Sequence, residues 1–133
     1  MIWQISNLIL ATSGSVSEQT EATLGHHLGA FGAGDVDEIM RDYTEDSVII
    51  TPDGPLRGLS EIRPFFEQLT TEIAPPGGYK FEMVQQAVEG EVAYIAWSLE
   101  SEKYNIPLGS DTFIVRGGKI VTQTFAGQVL PRE

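Results

Sequence analysis

Two side chains in this 133-residue chain combine titratable chemistry with a place on an apolar face. Asp111 heads the stretch DTFIVR, where a period of two puts Asp111, Phe113 and Val115 on one side of a strand. An inward carboxyl there has apolar neighbours and no nearby cation, since Arg116 stands at the strand's far end and Lys119 beyond the turn. Burial of that kind raises a carboxyl's pKa and keeps the acid protonated as a hydrogen-bond donor. The plainer alternative is an aspartate at a strand start, in water or capping the preceding loop. His27 falls in a helical stripe with Leu24, Leu28 and Phe31. An imidazole titrates near neutrality, so His27 suits a pocket donor or base; it suits equally a core-edge histidine bonded to backbone. His26 projects about 100° away on the same helix and is expected in solvent. Adjacent helical residues diverge and the chain has no third histidine, so no metal site is expected. Tyr43 and Tyr94 can offer hydroxyls to a ligand or hold them satisfied in the core.

Composition narrows what these groups can serve. The chain has 19 acidic and 8 basic residues, a formal charge of −11, and a surface that repels phosphate backbones and anionic lipid. Neither a nucleic-acid nor a membrane partner is expected. There is no cysteine, which excludes disulfides, thiolate catalysis and Cys-based metal centres. Pro52–Gly58 is rich in proline and glycine but lacks the Lys-Ser/Thr tail of a phosphate loop, and no cofactor is expected. The opening MIWQISNLIL is apolar, yet it has no Lys or Arg and is interrupted by Gln4, Ser6 and Asn7, which argues against a signal peptide. A cytoplasmic location is the expectation.

The elements that must position Asp111 and His27 follow from punctuation and period. Residues 1–16 read as an arm and residues 17–133 as one domain. A first helix covers Glu18–Phe31, broken by Gly32 and Gly34. Asp35 then caps a short second helix ending before Asp46, with Glu38 completing a capping box. The β-branched Ser47–Thr51 reads as a strand, stopped by Pro52-Asp53-Gly54-Pro55. Ser60 is a plausible N-cap for a third helix carrying Ile62, Phe65, Phe66, Leu69 and Ile73, with Pro64 at its fourth position. After Pro75-Pro76-Gly77-Gly78 the period becomes two. Tyr79–Val88, Val92–Glu100, Asp111–Arg116 and Lys119–Gln128 read as strands, joined at Glu89-Gly90 and Gly117-Gly118 by hairpin turns. Tyr104–Gly109 reads as a longer connection or a bulged edge because of Pro107. Helices followed by an antiparallel meander mean α+β: a cystatin-like cone, three helices on a strongly curved and mainly antiparallel sheet, with a cavity between them.

At this point the chain resembles the nuclear-transport-factor-2-like superfamily, in its SnoaL-like and ketosteroid-isomerase-like branch, from about Thr20 to Gly127. The carriers are Phe31-Gly32-Ala33-Gly34-Asp35, Tyr43-Thr44-Glu45-Asp46-Ser47-Val48, Pro52-Asp53-Gly54, and Gly58 with Ile62-x-x-Phe65-Phe66. Asp111-Thr112-Phe113 and Gly117-Gly118-Lys119-Ile120 complete the set. In the isomerases two acids donate hydrogen bonds to a developing oxyanion while a separate carboxylate shuttles the proton. The resemblance implies Asp111 for the donor carboxyl and His27 near the position of a phenolic donor. It places Thr51 where the shuttling carboxylate stands, and Phe65, Phe113 and Phe125 along the cavity. It also implies a homodimer built on the sheet's outer face, and Trp97 fits either that face or the pocket.

Two functions stay open. One is a small enzyme, an isomerase, cyclase or dehydratase, moving a proton on an apolar or aromatic oxygenated ligand through Asp111 and His27. The other is a non-catalytic ligand-binding or dimerisation module, favoured by the hydroxyl at Thr51.

Overall fold

A computed structural model describes the backbone of residues 2–133 and the side chains from Val16 onward. The arm expected over residues 1–16 lies, apart from Val16, outside the residues described with their side chains. Helix α1 runs Ile2–Gly32 and buries Leu24, with Leu28 and Phe31 packed against the core. Asp35 caps α2 (Val36–Met40), its carboxylate accepting from the Glu38 N–H at 3.1 Å. That satisfies one of the amides a helix start leaves open.

The strand expected at Ser47–Thr51 is β1 (Val48–Thr51), and the Pro52–Pro55 turn leads into a second strand, β2 (Gly54–Arg57). Pro55 is tolerated there because β2 is the sheet's edge. The third helix, α3 (Gly58–Gln68), starts earlier than Ser60 suggests. Arg57 takes the cap position, and Glu61 Oε1 reaches back to accept its N–H at 2.7 Å. Pro64 therefore sits in the helix interior. The helix widens into a π-helical turn at Leu69–Ile73, where the Thr70 and Thr71 hydroxyls bond back to the Phe66 and Glu67 carbonyls at 2.8 and 2.7 Å.

The sheet is completed by β3 (Tyr79–Glu89), β4 (Val92–Ser101), β5 (Tyr104–Arg116), β6 (Lys119–Gly127) and β7 (Leu130–Pro131). Its order is β2-β1-β6-β5-β4-β3, with β7 on β5; β1 and β6 run parallel and the other pairings are antiparallel. Register shifts at Met83/Gln85, Trp97/Leu99 and Ile114/Val115 bend the strands, as bulges do, and curl the sheet around the helices. Of the two readings of Tyr104–Gly109 the structure gives the bulged strand, inside the sheet and not at its edge: Ile106 pairs with Leu99, and Pro107 falls inside the irregularity where ladder pairing is interrupted. Asp111 consequently lies in the middle of a strand, not at its start. Between sheet and helices, Leu24, Ile39, Ile49, Ile62, Phe66, Phe113 and Ile120 are almost wholly buried. The architecture is the α+β cone.

Candidate functional site

The site is assembled across three neighbouring strands. Alternation along β5 turns Asp111, Phe113 and Val115 inward, and all three are buried. The register sets Phe125 beside Asp111 and Gln123 beside Phe113 on β6, and Ile95 beside Asp111 on β4. Asp111 Oδ1 accepts from Trp97 Nε1–H at 2.8 Å, and Oδ2 accepts from Gln123 Nε2–H at 2.9 Å. The Tyr43 hydroxyl in turn donates to Gln123 Oε1. Both bonded partners of Asp111 are neutral. Desolvation pushes its pKa up to about 6, against the opposing pull of the two donated hydrogen bonds.

The indole is held as closely as the carboxyl. Trp97 is stacked between Phe81 and Phe125, at ring-centroid separations of 5.8 and 6.2 Å. Its six-membered ring lies over Gly109, the residue opposite on β5; a Cβ there would fall 2.5 Å from the ring. Glycine is required because the aromatic plane occupies the space of a side chain. Trp97 thus belongs to the inner face of the sheet, and the outer face keeps Tyr94, 39% exposed.

These residues wall a cavity of about 70 Å³ between α1, α3 and the sheet. His27, Asp111 and Gln123 bring polar atoms to a lining otherwise built of rings and aliphatic chains, apart from the Trp97 N–H. Phe65, Phe113 and Phe125 stand on the same wall. His27 is buried, with the rings of Tyr43, Phe66 and Phe113 at 6.0, 5.6 and 5.4 Å in edge contacts. Its Nδ1 is buried without a hydrogen-bond partner among the described residues. Desolvation, with the nearby charge of His26, lowers the His27 pKa to about 4, so the imidazole is neutral at physiological pH.

The structure does not bring every sequence-stated candidate to this cavity. Thr51 sits at the end of β1, its hydroxyl donating to the Gly54 carbonyl at 2.9 Å and accepting from the Asp53 N–H at 3.1 Å. It is a turn residue. Tyr43 is buried behind Gln123 and reaches Asp111 only through that amide. His26 is exposed, as expected, and also bonded: Nδ1 lies 2.8 Å from Asp42 and Nε2 2.7 Å from Glu38, clamping α1 to α2. Its two nitrogens engage separate carboxylates, and no cluster able to hold a metal ion is found among the described residues. Gln123 is the residue that sequence reasoning missed, and of the two places left open for Trp97 the structure gives the pocket. The signal for Gln123 was its phase on β6, two residues from Phe125.

Comparison with known proteins bears on the whole arrangement. The SnoaL-like domain family matches residues 25–123. The chain belongs to this family. That match spans His27, Asp111 and Gln123 of the SnoaL-like domain, whereas Phe125 lies just beyond it. No curated protein matches the chain. Among solved structures, it is similar to an NTF2-like protein of unknown function from Burkholderia xenovorans, with 21% identity and a TM-score of 0.69, over 89% of this chain and 88% of that one. A second NTF2-like protein, from Mesorhizobium loti, shares 23% identity with a TM-score of 0.69, over 84% and 93%. A ketosteroid isomerase candidate from Kribbella flavida shares 16% identity with a TM-score of 0.68, over 84% and 79%. At these identities the likeness establishes the nuclear-transport-factor-2-like fold.

Proposed function

We propose that this SnoaL-like domain takes a small apolar or aromatic, oxygen-bearing molecule into the cavity and exchanges a proton with it through Asp111, without a cofactor. One observation carries the reading: Asp111 is a buried carboxyl on an apolar cavity wall, bonded among the described residues to neutral donors alone, with its pKa pushed up to about 6. A group titrating there can both give and take a proton near neutral pH, which is the requirement for general acid–base work. The reaction type belongs with the isomerases, cyclases and dehydratases. His27 supplies a second polar contact, as a neutral imidazole. The cavity of about 70 Å³ is well below the several hundred Å³ of sites for drug-sized ligands, so it suits a small ring system.

Deuterium incorporation at the carbon next to the carbonyl tests this. Small cyclic enones and diketones in D2O are followed by proton NMR with wild-type protein and with Asp111→Asn. Exchange that is accelerated by wild type and lost in the variant supports proton transfer. Binding with no exchange supports the second reading, a non-catalytic ligand-binding module. That reading is favoured by the fact that both Asp111 oxygens are already occupied, by Trp97 and Gln123.

A homodimer through the sheet's outer face is part of the same proposal. In register across β4, β5, β6 and β1, Val92, Ile114, Thr122 and Val48 form one row. Tyr94, Thr112, Thr124 and Ile50 form the next. Eight uncharged side chains on a chain of charge −11 suit contact with a second copy. Thr112→Arg places a charge at the centre of that face. Light scattering should report a dimer for wild type and a monomer for the variant, and a monomeric wild type at tens of micromolar removes the proposal.

A further inference from the structure

The hydrogen-bond chain behind the cavity can be drawn in two arrangements, and what distinguishes them is the donor and acceptor inventory of its members. An indole N–H can only donate, and Asp111 Oδ1 accepts it whether Oδ2 is ionised or protonated, so Trp97 favours the carboxylate without excluding the acid. A primary amide presents an acceptor at one end and donors at the other, and a phenolic hydroxyl does either. Gln123 has one bonded partner on each side: Asp111 at 2.9 Å, and the Tyr43 hydroxyl. Only Asp111 has a preference. When it is ionised it demands a donor, so Gln123 presents Nε2 to Oδ2 and leaves Oε1 for the Tyr43 hydroxyl. When Oδ2 is protonated that donor becomes a repulsive neighbour, and turning the amide over restores a bond at each end of Gln123, while the Tyr43 O–H gives up its acceptor. The Oδ2–H then donates to Gln123 Oε1, and Gln123 Nε2–H donates to Tyr43 Oη.

Resting on the reading of Asp111 as a proton-exchanging acid, we infer that Gln123 is a reversible amide relay and a positioning residue for Asp111. It donates to the Asp111 carboxylate in one state and accepts from the Asp111 acid in the other, and the Tyr43 hydroxyl reverses with it. The proton stays on Asp111 or leaves with the ligand; Gln123 gains and loses none. The surroundings allow this. Beside Gln123 on β1 stands Ile49, and on β5 Phe113. The ring of Phe125 lines the same wall, and His27 of α1 is neutral. Desolvation, and after it the charges of Asp111 and Asp42, raise the Tyr43 phenol's pKa, keeping the hydroxyl protonated. No cation is bonded to Tyr43, Gln123 or Asp111 among the described residues. Gln123 itself is 2% exposed, so water does not substitute for its partners.

The relay separates itself from a fixed amide by the sign of one titration. The Trp97 indole N–H donates directly to Asp111, and its proton–nitrogen NMR signal, distinguished from that of Trp3 by Trp3→Phe, reports the Asp111 titration in the full chain. A fixed amide supports only the ionised form, so Gln123→Met would raise the midpoint by about one pH unit, the effect of losing a donor to a buried carboxylate. A relay supports both forms. Its loss leaves the midpoint within about half a pH unit of wild type, or lower. Tyr43→Phe, which leaves Asp111 and Gln123 in place, gives the same reading if Gln123→Met does not fold. A fixed amide needs Tyr43 only when Asp111 is ionised, and the midpoint would rise. The relay needs it in both states: in the acid state the variant orphans an amide N–H but also removes the unpaired O–H, so the midpoint stays within about half a pH unit of wild type. A rise beyond half a pH unit in either variant overturns the relay. A native midpoint at or below the ordinary 3.8 would instead defeat the proton-exchange reading, and the relay would still be judged by the displacement between variants.

Discussion

Replacing Asp111 by asparagine separates an acid held against desolvation from a structural carboxylate. The carboxyl has an ordinary value of 3.8 and is pushed up to about 6 in the fold. A raised value means that the native state holds the proton longer than the unfolded chain does. The protonated form therefore costs nothing, and the penalty grows as pH rises past 3.8 and levels off above 6. At about 1.4 kcal/mol per pH unit, that gap is worth about 3 kcal/mol against folding at pH 8, of which about half has already developed at pH 5. Asparagine carries no charge and escapes this penalty. Its Oδ1 can accept from Trp97, and its amide can donate to Gln123 Oε1 once Gln123 turns to donate to Tyr43. The fold should survive. Relative to wild type, Asp111→Asn should gain about 1.5 kcal/mol between pH 5 and pH 8. Urea denaturation of both proteins at the two pH values, followed by tryptophan fluorescence, measures the difference, and other titrating groups cancel between the two proteins. A variant that loses ground as pH rises would refute the reasoning. It would mean that the bonds from Trp97 and Gln123 outweigh desolvation and hold an ionised, structural Asp111.

Three further substitutions probe the surroundings. His27 is lowered from 6.5 to about 4, so the native state resists a proton that the unfolded chain takes up, and stability falls with pH below 6.5. His27→Leu should remove about 2 kcal/mol of the stability lost between pH 7 and pH 5, read by urea denaturation; an unchanged acid sensitivity would show that the imidazole is not buried neutral. His26 is raised by Asp42 and Glu38, so its contribution is present below 6.5 and lost as pH climbs through the higher folded value. His26→Gln should destabilise at pH 5.5 by less than about 1 kcal/mol, since solvent screens the half-exposed pair, and should be neutral at pH 9; equal effects at both would sink the clamp. Gly109→Ala puts a methyl 2.5 Å from the Trp97 ring and should cost about 1–3 kcal/mol by thermal denaturation, with a shifted indole emission; unchanged fluorescence would place the indole elsewhere.

Much of the cone could be read from the chain, and the limits of that reading are specific. Asp35, Gly90 and Gly117-Gly118 announced a cap and two hairpins through local chemistry that tertiary contacts do not override. The inward phase of Asp111 and Phe113 followed from alternation alone. Trp97 could not be placed, because Val92–Ser101 carries apolar residues on both faces and its register shifts between Trp97 and Leu99. The same shift left Tyr104–Gly109 open between a connection and a bulged edge, since Pro107 and Gly109 are breakers until an indole across the sheet gives the glycine its reason. Ser60 suggested a cap that Glu61 in fact provides from inside the helix. Gln123 was hidden for a different cause. A glutamine in a strand reads as surface, and only the carboxylate on the neighbouring strand and the Tyr43 hydroxyl explain why it is buried.

The central claim is that Asp111 exchanges its proton near neutrality inside an apolar cavity, and its carboxyl carbon reports this directly. Carbon-13 NMR of the aspartate side chains, assigned by comparison with Asp111→Asn, follows that carbon from pH 3 to pH 9. The account predicts a single titration with its midpoint at about 6. A midpoint at or below the ordinary 3.8 would contradict it, making Asp111 a hydrogen-bonded brace of the sheet and not an acid poised for chemistry.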